Sequence, residues 1–171
     1  MCALFGSSRD VSFVRRMNRE LMGNIISQQC AFYKYKLNET KINMYGEASG
    51  GKFFDGPTLF NALITIGEST SPTSDLGVNF DWPISFAFLR DDLVEANVHP
   101  EVGDVILYQE SYWEIDNARV TQYWVGKDPD YPYEPNPLNP GLSNFGYNVE
   151  VFCDCHYVPA DRVNLQRTRL L

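Results

Sequence analysis

Residues 9–27, RDVSFVRRMNRELMGNIIS, set Val11, Val14, Met17, Leu21, Met22, Ile25 and Ile26 near helical spacing, with Arg9, Arg15, Arg16, Arg19 and Glu20 between them. The pattern predicts an amphipathic helix, capped by Ser8 or Asp10, with its apolar side laid on something apolar. After Cys30 the period shortens. CAFYKYKL (30–37) and KINMYGE (41–47) alternate in part, are rich in aromatics and are joined by NET, which predicts a hairpin. GGKFFDGP (50–57) reads as a turn with a short strand. TLFNALITIG (58–67) reads as a buried strand, a short helix being the alternative, and ESTSPTSDLG (68–77) as a polar loop with no reason to be rigid.

Further along, VNFDWPISFAFLR (78–90) predicts a long strand in which Pro83, lacking an N–H, belongs at an edge or bulge. DDLVEANV (91–98) suits one or two helical turns. The turn HPEVGD then opens a ribbon: VILYQ, SYWEID and ARVTQYWVG (118–126) predict three consecutive antiparallel strands. Gly103 permits that turn and Asp104 can bond its backbone. YNVEVFCDCHYV (147–158) is the last strand. Between them, residues 127–146 hold five prolines, so neither strand nor helix is expected there, only an extended excursion.

Composition narrows the class. A length of 171 residues suffices for one full-sized core, and ten prolines, twelve glycines and 14% aromatics fit a turn-rich, mostly β globular chain. The net charge of −8 is uneven. Residues 1–71 hold eight Lys/Arg and six Asp/Glu (+2), residues 72–161 three and sixteen (−13), and residues 162–171 three arginines (+3). An acidic middle argues against a phosphate-gripping surface, which concentrates Lys and Arg. The opening residues have no apolar run behind a basic one, so no signal peptide is expected, and no run approaches transmembrane length. Cys2, Cys30, Cys153 and Cys155 are therefore expected as free thiols.

Few residues point to chemistry. On a strand Cys153 and Cys155 share a face while His156 points to the other, and no second Cys/His pair completes a zinc set, so buried thiols are the expectation. Glu114 and Asp116 would face one way on a strand and, with Asp104, suit a divalent ion or a two-carboxylate hydrolase; solvated faces are the plainer reading. GEASGGK (46–52) lacks the spacing and the Ser/Thr of a phosphate loop. Tyr108, Tyr112, Trp113, Tyr123 and Trp124 could stack bases, but that mode needs a positive groove and this is the most acidic part of the chain. Core and inter-subunit packing is the better use of those rings.

The stretch LGVNFDWPISFAFLRDDLVEANVHPEVGDVILYQESYWEIDNARVTQYWVGK (76–127) resembles the neck, or head-completion, proteins of contractile-tailed bacteriophages. The residues that carry the resemblance are Gly77, Asp81, Arg90, Asp92, Leu93, Pro100, Gly103, Asp104, Tyr112, Trp113, Glu114 and Ile115. The N-terminal helix, AFYKYKLN and INMYGEA agree with it, so it covers residues 9–127. It implies a mainly β fold: a small antiparallel β-barrel (30–126 and 147–158) with the N-terminal helix (9–27), a Pro-rich loop (127–146) and a C-terminal arm (159–171) in one domain.

Its functional implication is a virion protein of the head–tail neck, assembled in the host cytoplasm, with no enzymatic activity and no cofactor or metal. It would form a homo-oligomeric ring, a hexamer, below the portal, with a head–tail adaptor above and a tail terminator below. Duplex genome would pass through the lumen without specific binding, and no membrane is involved. A negative lumen would lower adhesion by like-charge repulsion. Subunit or partner contacts are expected from Tyr112, Trp113, Tyr131, Tyr133, Arg162, Arg167, Arg169, Leu170 and Leu171, and a lumen or gate loop at Glu68 and Asp75. A tail-terminator or baseplate ring component is the nearest alternative, and a carboxylate-metal hydrolase the alternative from another class.

Overall fold

The structure is a computed structural model that describes residues 8–38, 40, 44, 52–68, 73–74, 77–78, 82–120, 135–143, 148–160, 162–163 and 165. Its strands are β1 (Gln29–Tyr35), β2 (Phe54–Ile66), β3 (Thr73–Ser74), β4 (Gly77–Val78), β5 (Pro83–Leu89), β6 (Val105–Tyr108), β7 (Ser111–Val120) and β8 (Glu150–Val158). Six of them close into an antiparallel barrel in the order β1-β2-β5-β8-β7-β6, and β3 pairs with β4 alone.

Alternation makes the barrel wall. Along β5, Ile84, Phe86 and Phe88 point inward; they meet Phe32, Phe60, Ile106, Trp113, Ile115, Val151, Cys153 and Cys155 from the other strands, all buried in one cluster. Phe32, Phe60 and Phe88 pack edge to face, with ring centroids 6.1, 6.2 and 5.8 Å apart. The interior is thus filled by side chains, as expected of a barrel this small. The barrel of the chain is a core and not a bore.

A second cluster sits on the outer side of the wall, where Ala31, Tyr33, Val105, Tyr112 and Val158 are covered by Val163 and flanked by Phe54, Leu107 and Leu165. The start of the expected C-terminal arm therefore folds back on its own barrel.

Several elements differ from the sequence pattern. The strand expected over 58–67 is longer: β2 absorbs the short strand expected in 50–57 and pairs with β1 from Tyr35↔Phe54 to Gln29↔Asn61. A helix there is ruled out by that pairing. β1 takes β2 and β6 as neighbours; the hairpin partner expected at 41–47 lies, apart from Met44, outside the described residues. Of the third strand expected in the meander (118–126), residues 118–120 continue β7 and residues 121–126 lie outside the described residues. No turn separates the second from the third; β7 runs on to Val120, and a register shift between Ile115 and Asn117 absorbs the extra residue while β8 stays paired from Tyr112↔Val158 to Val120↔Val151. The long strand expected from residue 78 begins at Pro83, which opens β5 opposite His156, and a strand's first residue is a position where a residue without an N–H is tolerated. The polar loop 68–77 is also more ordered than expected, since Thr73↔Val78 and Ser74↔Gly77 pair.

The ribbon turns follow their residues. Gly103 has φ +92° at the first turn, and Gln109 and Glu110 take φ 48° and 62° at the second, the two positive values a tight hairpin turn requires.

Helix α1 (Ser8–Glu20) continues as a π-helical turn, Leu21–Ile26, ending at Ser27, whose N–H donates to the Met22 carbonyl at 2.9 Å. Its inward seam is not the one the pattern predicted. Val11 and Met22 are buried, with Val14, Arg15, Asn18 and Ile26 half-buried between and beyond them. Phe13, Met17, Leu21 and Ile25 are 61%, 53%, 44% and 75% exposed. Helix α2 (Arg90–Ala96) presents three acids to the inward side, where Arg15 pairs with Asp91 and Arg19 with Asp92 and Glu95. The arginine side of α1 thus faces α2, and the remaining apolar residues lie outside.

The described part of the Pro-rich segment, 135–143, is neither purely extended nor detached. Asn136 Oδ1 accepts the N–H groups of Leu138 and Asn139 at 3.0 and 3.2 Å, and a 3-10 turn at Pro140–Leu142 follows. Leu142 enters the inner cluster, and its carbonyl accepts from the buried guanidinium of Arg90.

Candidate functional surfaces

The most constructed polar site lies at the base of the ribbon. The Asp104 side chain is 1% exposed. It accepts the N–H groups of Tyr35 and Glu101, each at 2.8 Å, and the Lys34 ammonium at 2.9 Å. Lys34 also donates to the His99 carbonyl and to Glu101, each at 2.8 Å. Burial pushes the Asp104 carboxyl above its ordinary range even against those donors, while Lys34 holds Glu101 below it. With its ammonium surrounded by acceptors and its carboxylate by donors, this node ties the 100–104 turn to β1. It is spent on structure.

The other acids of a possible metal site are occupied too. Glu114 accepts from Lys52 at 2.5 Å, and Asp116 sits 2.7 Å from His156 Nδ1. Glu114 is half-buried opposite His156 and Asp116 is exposed beside that same histidine, so both acids lie on the outer side of β7, each with a partner already. Among the described residues no group of three or more His, Cys, Asp or Glu is arranged to hold an ion. Cys30, Cys153 and Cys155 are unpaired and buried, with His156 on the opposite side of β8. Burial pushes the Cys30 and Cys153 thiols up to about 12, and Cys155 upward as well. Such thiols are filling and not nucleophiles.

The residues expected at contacts are scattered. Tyr112 and Trp113 are 4% and 3% exposed, Tyr112 in the outer cluster and Trp113 in the inner one. Trp113 packs edge to face on Trp82 and Tyr157, with centroids 5.6 and 5.8 Å away, near one mouth of the barrel. Their rings are used within the chain, which leaves them little to offer a neighbour. Arg162 is exposed, and Glu68 is exposed just beyond β2. Asp75, Tyr131, Tyr133, Arg167, Arg169, Leu170 and Leu171 lie outside the described residues. Of the acidic stretch, Asp91, Asp92, Glu95, Glu101, Asp104, Glu114 and Asp154 all have cationic partners in the chain.

Two shallow cavities flank segment 135–143. One, of about 370 Å³, is bordered by Lys34, Asp55, Thr58, His99 and Asn139. The other, of about 330 Å³, is bordered by Arg15, Arg90, Asp91, Asn136 and Leu138. Of their polar side chains, Lys34, Asp55, Arg15, Asp91, Arg90 and Asn136 are already engaged with neighbouring groups of the chain. The prominent unengaged feature is apolar: the outward stripe Phe13, Met17, Leu21, Ile25 of α1 and the π turn. Sequence reasoning placed three of these residues on the buried side. The unbroken four-residue spacing of all four was the available signal for a second, outward seam.

No model of a known protein family matches the chain, and no curated protein is similar to it. No helix among the described residues is long and apolar enough to cross a membrane.

Proposed function

We propose that the protein is a non-enzymatic structural subunit of a phage head–tail connector, a neck protein whose copies assemble into a ring that closes the filled head and offers a docking surface to the tail. The observation that carries this reading is the division of the molecule: polar groups that suit catalysis are consumed inside the chain, whereas large apolar side chains stand in solvent on α1, at Phe13, Met17, Leu21 and Ile25. A site for bond-breaking keeps its charged groups available; an assembly subunit keeps its apolar ones available.

Because the subunit barrel is filled, a passage for duplex genome would lie between subunits, around a ring axis. That requires the head-to-tail kind of interface, in which each copy uses two different faces. The hexameric state, the adaptor above and the terminator below rest on the resemblance of residues 76–127 to neck proteins. A terminator or baseplate ring would share the same assembly logic.

Immunogold labelling of virions from cells producing this protein tests the address. Label at the head–tail junction is the expected result; label along the tail end or baseplate would replace the neck by the alternative. Virions that never carry the protein would end the reading.

A further inference from the structure

We propose that Lys34 and Asp104 become covalently joined, through an amide between the Lys34 Nζ and the Asp104 side-chain carbonyl, in a reaction the chain performs on itself with Glu101 carrying a proton. One bond forms once per chain and no substrate is turned over. The modification is therefore compatible with a structural subunit and does not depend on the ring.

Register puts the two residues face to face. β1 and β6 pair through Ala31↔Leu107, Phe32↔Ile106 and Tyr33↔Val105, and the next step of that antiparallel register sets Lys34 opposite Asp104. Lys34 and Asp104 continue the alternation of Phe32 and Ile106, which point into the core, so their side chains meet at the end of the seam. Three pairs make this the shortest of the six seams of the barrel; β7 and β8 share eight. A bond here would lock the weakest join in the wall.

The surroundings suit condensation. The Asp104 side chain is 1% exposed, so its carboxyl is withdrawn from water. The acids that pair with Lys52 and Lys36, Glu114 and Asp55, are 22% and 69% exposed. Burial raises the Asp104 carboxyl above its ordinary range, which favours the acid form that an amine attacks; the hydrogen bond from Lys34 holds Glu101 low, in the ionised form that accepts a proton. Lys34 Nζ lies 2.9 Å from Asp104 Oδ2 and 2.8 Å from Glu101 Oε2. The Tyr35 N–H donates to Oδ1 at 2.8 Å, so the oxygen on which charge would develop already has its donor.

The Lys34 ammonium passes one proton to Oδ2, leaving a neutral amine beside a carboxylic acid. Nζ attacks Cγ, and negative charge gathers on Oδ1 against the Tyr35 N–H. Glu101 takes a second proton from Nζ and returns it to Oδ2, which departs as water. The Nζ–Cγ bond forms and the Cγ–Oδ2 bond breaks. Two protons leave with the water oxygen, one stays on the amide nitrogen, and no other reactant is consumed. Fixed contact supplies an effective concentration of about 10⁵ M or more, and a site closed to water slows the reverse hydrolysis.

The test is the intact mass of the full chain, taken under denaturing conditions after standing at neutral pH and followed by tryptic mapping. The expected mass is one water below that of the unmodified chain, with a branched peptide joining residue 34 to residue 104 and no cleavage after Lys34. Lys34→Arg keeps a cation at the site without a nucleophilic amine and should show the full mass of its own sequence. Glu101→Gln, at a largely exposed position, should fold as wild type and close the bond roughly 100-fold more slowly. Wild type at full mass overturns the proposal. So does a lost water that maps to one unbranched peptide, the mark of cyclisation at an aspartate, or a loss that persists in Lys34→Arg. A Glu101→Gln chain that cross-links at the wild-type rate overturns the role given to Glu101.

Discussion

The ribbon at 100–116 and the helix at 8–26 exchange the roles their residues advertise. The ribbon carries acids, tyrosines and a tryptophan, the side chains of a recognition surface, yet it turns Trp113 and Ile115 into the barrel and locks Asp104 under a lysine. The helix carries evenly spaced apolar residues, the mark of a buried face, yet leaves four of them in solvent. Closure accounts for the difference. In a closed barrel every second residue has an unambiguous inside, so large side chains of the right parity are buried wherever they fall. A helix lying outside the barrel has only the strip its neighbours reach, and here α2 claims that strip with charges.

Substitution at the centre of each region should expose the contrast at its widest. Trp113→Ala removes a ring enclosed by Trp82, Tyr157 and the inner cluster, and should cost about 3–5 kcal/mol in urea unfolding. Met17→Ala on the helix should change stability by no more than about 0.5 kcal/mol. Equal losses at the two positions would show that the stripe is packed, and the contrast would collapse.

How far the sequence reaches follows from the same physics. The existence of the last strand, of α2 and of the ribbon was legible because apolar alternation and turn residues agree there; Glu150–Val158 falls within the span read from pattern, and Arg90–Ala96 starts one residue before the helical span 91–98. The shared, buried face of Cys153 and Cys155 followed from strand parity. What was not legible depended on distant partners. The side of α1 that faces inward meets Asp91, Asp92 and Glu95, some seventy residues away in sequence. The continuity of β7 through Asp116 is settled by β8, which pairs along its whole length. The insertion of Leu142 into the core is settled by Arg90. None of these partners lies within the window that periodicity can see.

A smaller effect separates the polar anchors of the two regions. Asp104→Ala strands the N–H groups of Tyr35 and Glu101 and leaves Lys34 without its buried counter-charge, so a loss of about 3 kcal/mol is expected. Arg19→Ala removes the pairs to Asp92 and Glu95 at a half-exposed position and should cost less than about 1 kcal/mol. Combining Asp104→Ala with Lys34→Met should cost less than the two separate losses added together, because both remove one interaction. Strict additivity would show that the pair is not coupled and that the ribbon is anchored elsewhere.

The smallest expected effect concerns the place where the ribbon meets segment 135–143. Gly141 lies so close to the His99 imidazole that a Cβ there would fall 2.6 Å from its Cδ2 and Nε2 atoms. This burial holds His99 below its ordinary value of 6.5, more strongly than Glu101 and Asp104 raise it, with Lys34 and Arg90 adding to the depression. The unfolded chain consequently binds a proton at this position more readily than the folded one. Stability from the neutral ring is complete above the unfolded value and is lost as pH falls from about 6.5 through the lower folded value. Urea midpoints measured from pH 7.5 down to 5.5 should therefore decline for wild type more steeply than for His99→Asn, which does not titrate. Parallel declines would mean that the ring is not held neutral by the 135–143 segment, and that this segment lies less closely on the ribbon than its glycine contact implies.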